Sequence, residues 1–165
     1  MPSRPTTSTP PAIPLEARLS YRCSMIGARI GRFLAPMWET RYGLNVNTWR
    51  ILAIIGRYGP LSAKDIATRA SSDAFHVSRA IELLVRRKFI RRDVDPQDRR
   101  RARIELSSSG RAAHYAIEQA LTRLENELLS GLKDSDREVL RSGLATLDER
   151  ALALMASDLT WKDFA

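Results

Sequence analysis

The chain has one cysteine, Cys23, and two histidines, His76 and His114. A single thiol excludes an internal disulfide and any zinc site built on cysteines. The two imidazoles lie far apart in sequence, so no metal site is expected. No apolar run approaches the roughly 20 residues that a membrane-spanning helix needs. The first residues hold Arg4 but no apolar segment behind it, which is not the pattern of a secretory signal. A cytoplasmic location is expected. Also missing are a glycine-rich loop to cradle phosphates and any serine or cysteine with a nearby histidine and acid in a recognisable catalytic order. No catalytic residue and no cofactor is expected, and the chain does not read as an enzyme.

What is there is 44% apolar and 28% charged, the balance of one globular domain, with or without an oligomerisation extension. Residues 1–14 are rich in Pro, Ser and Thr and read as a disordered N-terminal arm. A domain over 15–155 follows, with a short tail over 156–165. Leu15, Leu19, Cys23, Ile26, Ile30, Phe33 and Met37 recur at steps of three and four, a heptad-like seam on one long helix. Its other face carries Arg18, Arg22, Arg29 and Arg32. Pro36 should bend this helix near its end, and Gly43 should cap it. Asn45 should start the next helix, which Gly59-Pro60 ends. Towards the C-terminus, Ala113, Ile117, Leu121, Leu124 and Leu128 form a second seam, with Ser107 or Ser108 as its cap and Gly131 as its end. Ser135 and Glu138 read as a capping box before a last helix carrying Val139, Leu140, Leu144, Leu147, Ala151 and Leu152. The segments 15–41 and 108–155 are expected to be dimerisation helices.

Between them, Leu61 to Leu106 reads helix, turn, helix, then a β-ribbon. Ser62 and Asp65 form a variant capping box for the first short helix, whose core residue is Ile66. In the second, Val77, Ile81, Leu84 and Val85 make a buried stripe, and Arg79 and Arg86 fall nearly opposite it. Phe75, His76 and Glu82 flank the outward side, and Ser72 or Asp73 can cap the helix. Ile90 and Val94 alternate with Arg91 and Asp93, and Ala102, Ile104 and Leu106 alternate with Arg103 and Glu105, two strands with one apolar face. The turn joining them contains Arg99, Arg100 and Arg101. From Arg79 to Arg103 there are ten basic and four acidic residues, a net +6 out of +8 for the chain. So concentrated a charge is the footprint of a nucleic-acid reader, since adjacent arginines at a hairpin tip gain nothing from a core. The fold class is mainly α with a small β-wing: a winged helix-turn-helix, its DNA-reading part over 45–106. Ser62 and Lys64 should lie near phosphates.

The pattern Ser78-Arg79, Leu84-Val85, Phe89-Ile90-Arg91-Arg92, Asp95-Pro96-Gln97-Asp98-Arg99-Arg100, Ile104-Glu105-Leu106-Ser107 and Gly110 resembles the MarR family of bacterial transcriptional regulators, over about Leu15 to Met155. The resemblance implies a homodimer on a palindromic operator in double-stranded DNA. By it, Arg100 matches a wing-tip arginine that enters the minor groove, Asp73 an acid able to pair with it, and Ser78 and Arg79 base-reading positions. Phe75 and His76 are less typical there. The family's usual ligand site would here draw on Met25, Arg29, Arg32, Phe33, Trp49 and His114, with Tyr115 close by. An arginine beside aromatic walls suits an aromatic carboxylate, a phenolic compound or its coenzyme A thioester. The expected function is a repressor that such a ligand releases from DNA. Two alternatives stand beside it: an oxidant sensor acting through Cys23, and a winged-helix adaptor that binds protein rather than specific DNA.

Overall fold

A computed structural model describes residues 13–94 and 102–164. The expectations for the N-terminal arm, apart from Ile13 and Pro14, and for the wing tip from Asp95 to Arg101 lie outside the described residues. The chain divides into two compact units, one ending at Ile117 and the other beginning at Glu118. No described helix is long and apolar enough to cross a membrane.

The first unit opens with a 3-10 turn, Leu15–Ala17, and then helix α1, Leu19–Tyr42. The heptad spacing predicts one helix from Leu15. Instead, Arg18 takes an extended conformation between the two and no side chain caps the start of α1. Gly43 ends the helix with φ 62°, in the left-handed region that glycine enters without a Cβ penalty. Only Leu34 and Trp38 of α1 are buried, whereas Leu19, Ile26 and Phe33 of the seam are exposed. The helix therefore has two apolar faces. One turn of it faces this chain's own core, and Leu19, Ile26 and Phe33 of the longer seam are left uncovered by the described residues.

Helix α2, Val46–Tyr58, is capped by Asn45, whose carboxamide oxygen accepts from the Thr48 N–H at 2.9 Å and from its hydroxyl at 3.0 Å. It buries Thr48, Trp49, Ile51, Leu52 and Ile55. The Trp49 ring stacks on Trp38 with centroids 6.2 Å apart and also meets the His114 ring at 6.1 Å. Helix α3, Ala63–Ala70, has the reciprocal capping box of Ser62 and Asp65 and buries Ile66. Helix α4, Ala74–Arg86, is capped by Asp73 rather than Ser72.

Along α4 the buried residues are Val77, Ala80, Ile81 and Leu84, and Val85 is exposed. The stripe is centred on Val77, Leu84 and Ile81, so Ala80 falls within it and Val85 sits a quarter-turn off. Strands β1, Ile90–Val94, and β2, Ala102–Leu106, pair antiparallel with Ile90 opposite Leu106 and Val94 opposite Ala102. Leu61 bridges to Ile104 by two backbone hydrogen bonds, which ties the ribbon to the start of α3. Ile90, Ile104 and Leu106 are buried but Val94 is exposed, because the ribbon leaves the core after its first turn of side chains.

Helix α5, Ser108–Leu129, begins in the first unit, where it buries Gly110, Ala113 and Ile117, and ends in the second. Its cap is Ser107, whose hydroxyl oxygen accepts from the Gly110 N–H at 3.0 Å. In the second unit, helix α6, Asp134–Ala156, starts two residues earlier than the Ser135 box requires, with Lys133 at the cap position and no side-chain cap. Ser135 is then already inside the helix. Asp134 and Asp136 in the first turn complement the helix dipole in its place. No residue of α6 is buried, and Leu140, Leu144, Leu147 and Leu152 all stand exposed. The tail holds a 3-10 turn, Trp161–Phe164, fastened by Asp163 accepting from the Thr160 N–H at 2.7 Å.

Candidate nucleic-acid interface

The outward face of α4 carries Phe75, His76, Ser78, Arg79, Glu82 and Arg86, all exposed. They are displayed because the opposite side of the helix is anchored by Val77, Ile81 and Leu84. The helix start is fixed by Asp73, one of whose carboxylate oxygens accepts from the His76 N–H at 2.9 Å while the other contacts His76 Nδ1. These two interactions hold the Asp73 carboxyl below its ordinary value. Arg79 places its guanidinium 5.7 Å from the Phe75 ring centroid, and Phe75 meets His76 edge-on at 5.9 Å. Phe75, His76 and Arg79 thus form one cluster on the first turns of the helix.

Two shallow grooves run between α4 and the start of α2. His76, Arg79 and Arg86 line one together with Asn45, Asn47 and Leu83. His76 lines the other with Asn47, Arg50, Ala70 and Ser72. Asn47 and Arg50 are not legible in the sequence. No motif marks them, because an isolated arginine on an amphipathic helix looks like any solvated charge. Ser62 is less available than expected, since its hydroxyl lies 2.6 Å from Asp65 Oδ2 and accepts from the Asp65 N–H. Lys64 is exposed. On the ribbon, Arg91 pairs across the strands with Glu105 at 2.7 Å, and Arg103 lies 4.0 Å from the same carboxylate. Arg99, Arg100 and Arg101 lie outside the described residues.

The residues expected to bind a ligand do not line one described cavity. Trp49 is buried in the tryptophan stack. His114 is pressed on α2, where a Cβ on Gly56 would lie 2.5 Å from its Nε2. Phe33 is 71% exposed, Arg29 is exposed and Met25 is half-buried. Arg32 alone of the set lines a cavity of about 680 Å³ between α1 and α2, with Cys23, Trp38, Glu39, Val46 and Arg50. Among the described residues, the Trp38 indole N–H is buried without a hydrogen-bond partner.

The family model for the MarR family matches residues 44–102, from the cap of α2 through the start of β2. Over that stretch the chain is similar to the MarR family. That family is one of DNA-binding transcriptional regulators and not of enzymes. Among its relatives, the HTH-type transcriptional regulator YwaE of Bacillus subtilis is 25% identical over 99 residues, 60% of this chain and 58% of that protein. The match therefore spans little more than half of that relative's length. Among solved structures, a probable transcriptional regulator from Pseudomonas aeruginosa is 27% identical with TM-score 0.67, covering 81% of this chain and 98% of that one. The MepR–DNA complex of Staphylococcus aureus is 25% identical with TM-score 0.69, again over 81% and 98%. The winged helix of those solved structures is thus the fold of this chain.

Proposed function

We propose that this chain is a homodimeric transcriptional regulator that binds a palindromic operator, with α4 in the major groove and the wing in the minor groove, and represses until a small aromatic acid releases it. The observation that carries the DNA reading is the exposed cluster of His76, Arg79 and Arg86 on a helix whose other face is locked into the core, flanked by Asn47 and Arg50 on α2. Arginine on such a face suits guanine in the major groove, and the flanking groups suit phosphates. Two such helices match two half-sites only when a dimer spaces them. The uncovered apolar positions of α1 and α6 supply material for that dimer.

For the ligand, the cavity between α1 and α2 supports the reading best. It brings two guanidinium groups, Arg32 and Arg50, to an aromatic wall at Trp38. A carboxylate can take charge-assisted bonds from the arginines while its ring lies on the indole. Arg50 lines both this cavity and the groove beside His76, so a ligand that engaged it would compete with DNA for one side chain. Cys23 is exposed on the same cavity, and this keeps an oxidant response as a second reading.

Titration of DNA binding with salt tests the first part. A regulator that neutralises phosphates loses affinity linearly on a log–log plot, with a slope near −0.9 per phosphate. An adaptor without DNA function shows no salt-dependent binding to random duplex. A thermal-shift panel of phenolic and aromatic acids and their coenzyme A esters tests the second, repeated with peroxide on native chain and on Cys23→Ser. DNA release by peroxide alone, and only with Cys23 present, replaces the ligand reading by the redox one.

A further inference from the structure

His76 does more in this structure than a generic contact residue requires. Its imidazole is 68% exposed, and among the described residues Asp73 is its one hydrogen-bonding partner, through Nδ1. The ring therefore shows Nε2 to whatever lies on α4. In the neutral imidazole, with Nδ1–H given to Asp73, Nε2 is a bare acceptor. In the imidazolium, Nε2–H is a donor and the ring carries a positive charge. Acceptors crowd the DNA surface, as phosphate oxygens and as guanine N7 and O6.

Among the described residues, the charged groups around the ring are few. Asp73 faces it from the turn before α4. Arg79 and Arg86 of α4 share one groove with it, and Arg50 of α2 shares the other. From the end of α3 and the turn come only Ala70 and Ser72, which carry no charge. The three arginines repel an imidazolium, whereas a phosphate strand laid across them cancels that repulsion and adds anions beside Nε2. Asp73 stays ionised throughout the neutral range, because the His76 N–H and imidazole hold its carboxyl below the ordinary value.

We propose that His76 takes up a proton when the chain binds DNA, with Asp73 holding Nδ1 so that Nε2–H is donated to an acceptor on the nucleic acid, and that DNA affinity therefore falls as pH rises through the histidine range. This rests on the DNA-binding reading above. The sign follows from linkage: a complex that binds more protons than its free partners is favoured at low pH and weakened as pH rises. Histidine is the side chain whose ordinary titration falls in that window. The chain has only one other histidine, His114, so the assignment is tractable.

The test uses the full chain and two fluorescent duplexes, one selected by it from a randomised pool at about pH 6 and one of random sequence. Binding is measured from about pH 6 to about pH 8 at fixed ionic strength. The native chain should lose about tenfold in affinity per protomer across that range, the size of one charge-assisted contact. His76→Gln retains His114 and should bind with no pH slope in this range. Asp73→Asn keeps a cap of equal quality, so circular dichroism should be native, but its slope should shrink and move to lower pH. A slope on both duplexes assigns the acceptor to phosphate, and a slope on the selected duplex alone assigns it to guanine. A pH-independent native chain, or a His76→Gln variant with the native slope, overturns the proposal. An unaltered profile in Asp73→Asn overturns the positioning role of Asp73. Failure of the native chain to bind either duplex at any pH removes the DNA-binding reading itself, a result distinct from binding without a slope.

Discussion

A Cβ atom on Gly110 would lie 1.8 Å from the carbonyl oxygen of Phe89, so the first turn of α5 rests backbone against backbone on the link between α4 and the wing. The same link is held by Ser107 and Ser109, whose hydroxyls both donate to the Lys88 carbonyl, at 2.6 and 2.7 Å. Lys88 itself sits at φ 61°, an uncommon conformation for a residue with a side chain. The glycine of the wing signature is thus a packing requirement: no other residue lets the two backbones approach.

Gly110→Ala should therefore destabilise the chain by about 1–3 kcal/mol, the usual cost of overpacking, or more if the link cannot shift. Urea unfolding followed by circular dichroism measures it. A midpoint equal to that of the native chain would show that the contact relaxes freely.

Arg79 and Arg86 should separate in their effects on DNA. Arg79 stands in the Phe75–His76 cluster near the start of α4, and Arg86 at the helix end. Arg79→Ala should relax base preference at one position per half-site, costing about 1–3 kcal/mol on the selected site. Arg86→Ala should weaken all sequences alike. Binding to a library of sites distinguishes the two, and an even loss in both variants contradicts the groove assignment.

Arg100→Ala tests the wing. Its loss should weaken binding to the selected site by roughly 1–3 kcal/mol and leave the unfolding midpoint unchanged. Equal affinity in the variant would remove the wing from the mechanism.

Ile26 is 54% exposed in the single chain, in the middle of the α1 seam. If a second copy covers it, Ile26→Asp would bury a lone carboxylate, which costs several kcal/mol unless the interface opens. Light scattering should then show monomer or aggregate in place of dimer. A native chain that runs as a folded monomer at micromolar concentration would defeat the two-half-site arrangement.

Arg32 lines the α1–α2 cavity but neither groove beside α4. Arg32→Gln should therefore abolish release by an aromatic acid while DNA affinity stays native. By linkage the ligand and DNA weaken each other by one common factor, typically worth about 1–3 kcal/mol. An undiminished response in the variant would move the ligand site elsewhere.

Local chemistry made much of this chain legible in one dimension. Asn45, the Ser62–Asp65 box, Asp73 and Gly43 act within a few residues of themselves, so their caps could be read from spacing. The stripe of Val77, Ile81 and Leu84 and the two ribbon strands follow from periods of 3.6 and 2, which depend on backbone geometry alone. The same reasoning failed where burial depends on what lies opposite. Val85 lies at the edge of the stripe and Val94 at the far end of the ribbon from the buried Ile90, and both are exposed. The Ser135 box failed for a local reason: Asp134 and Asp136 complement the helix dipole in a first turn that begins earlier.

Which groups share a site was decided only by the tertiary structure. Trp38 did not belong to the α1 seam, yet it is the α1 residue that stacks on Trp49. Asn47 and Arg50 carried no motif, yet the packing of α2 against α4 sets them beside His76. Periodicity orders residues along one element. It holds no information about the angle at which a second element crosses it, and that angle brings Arg50 to a histidine 26 positions away.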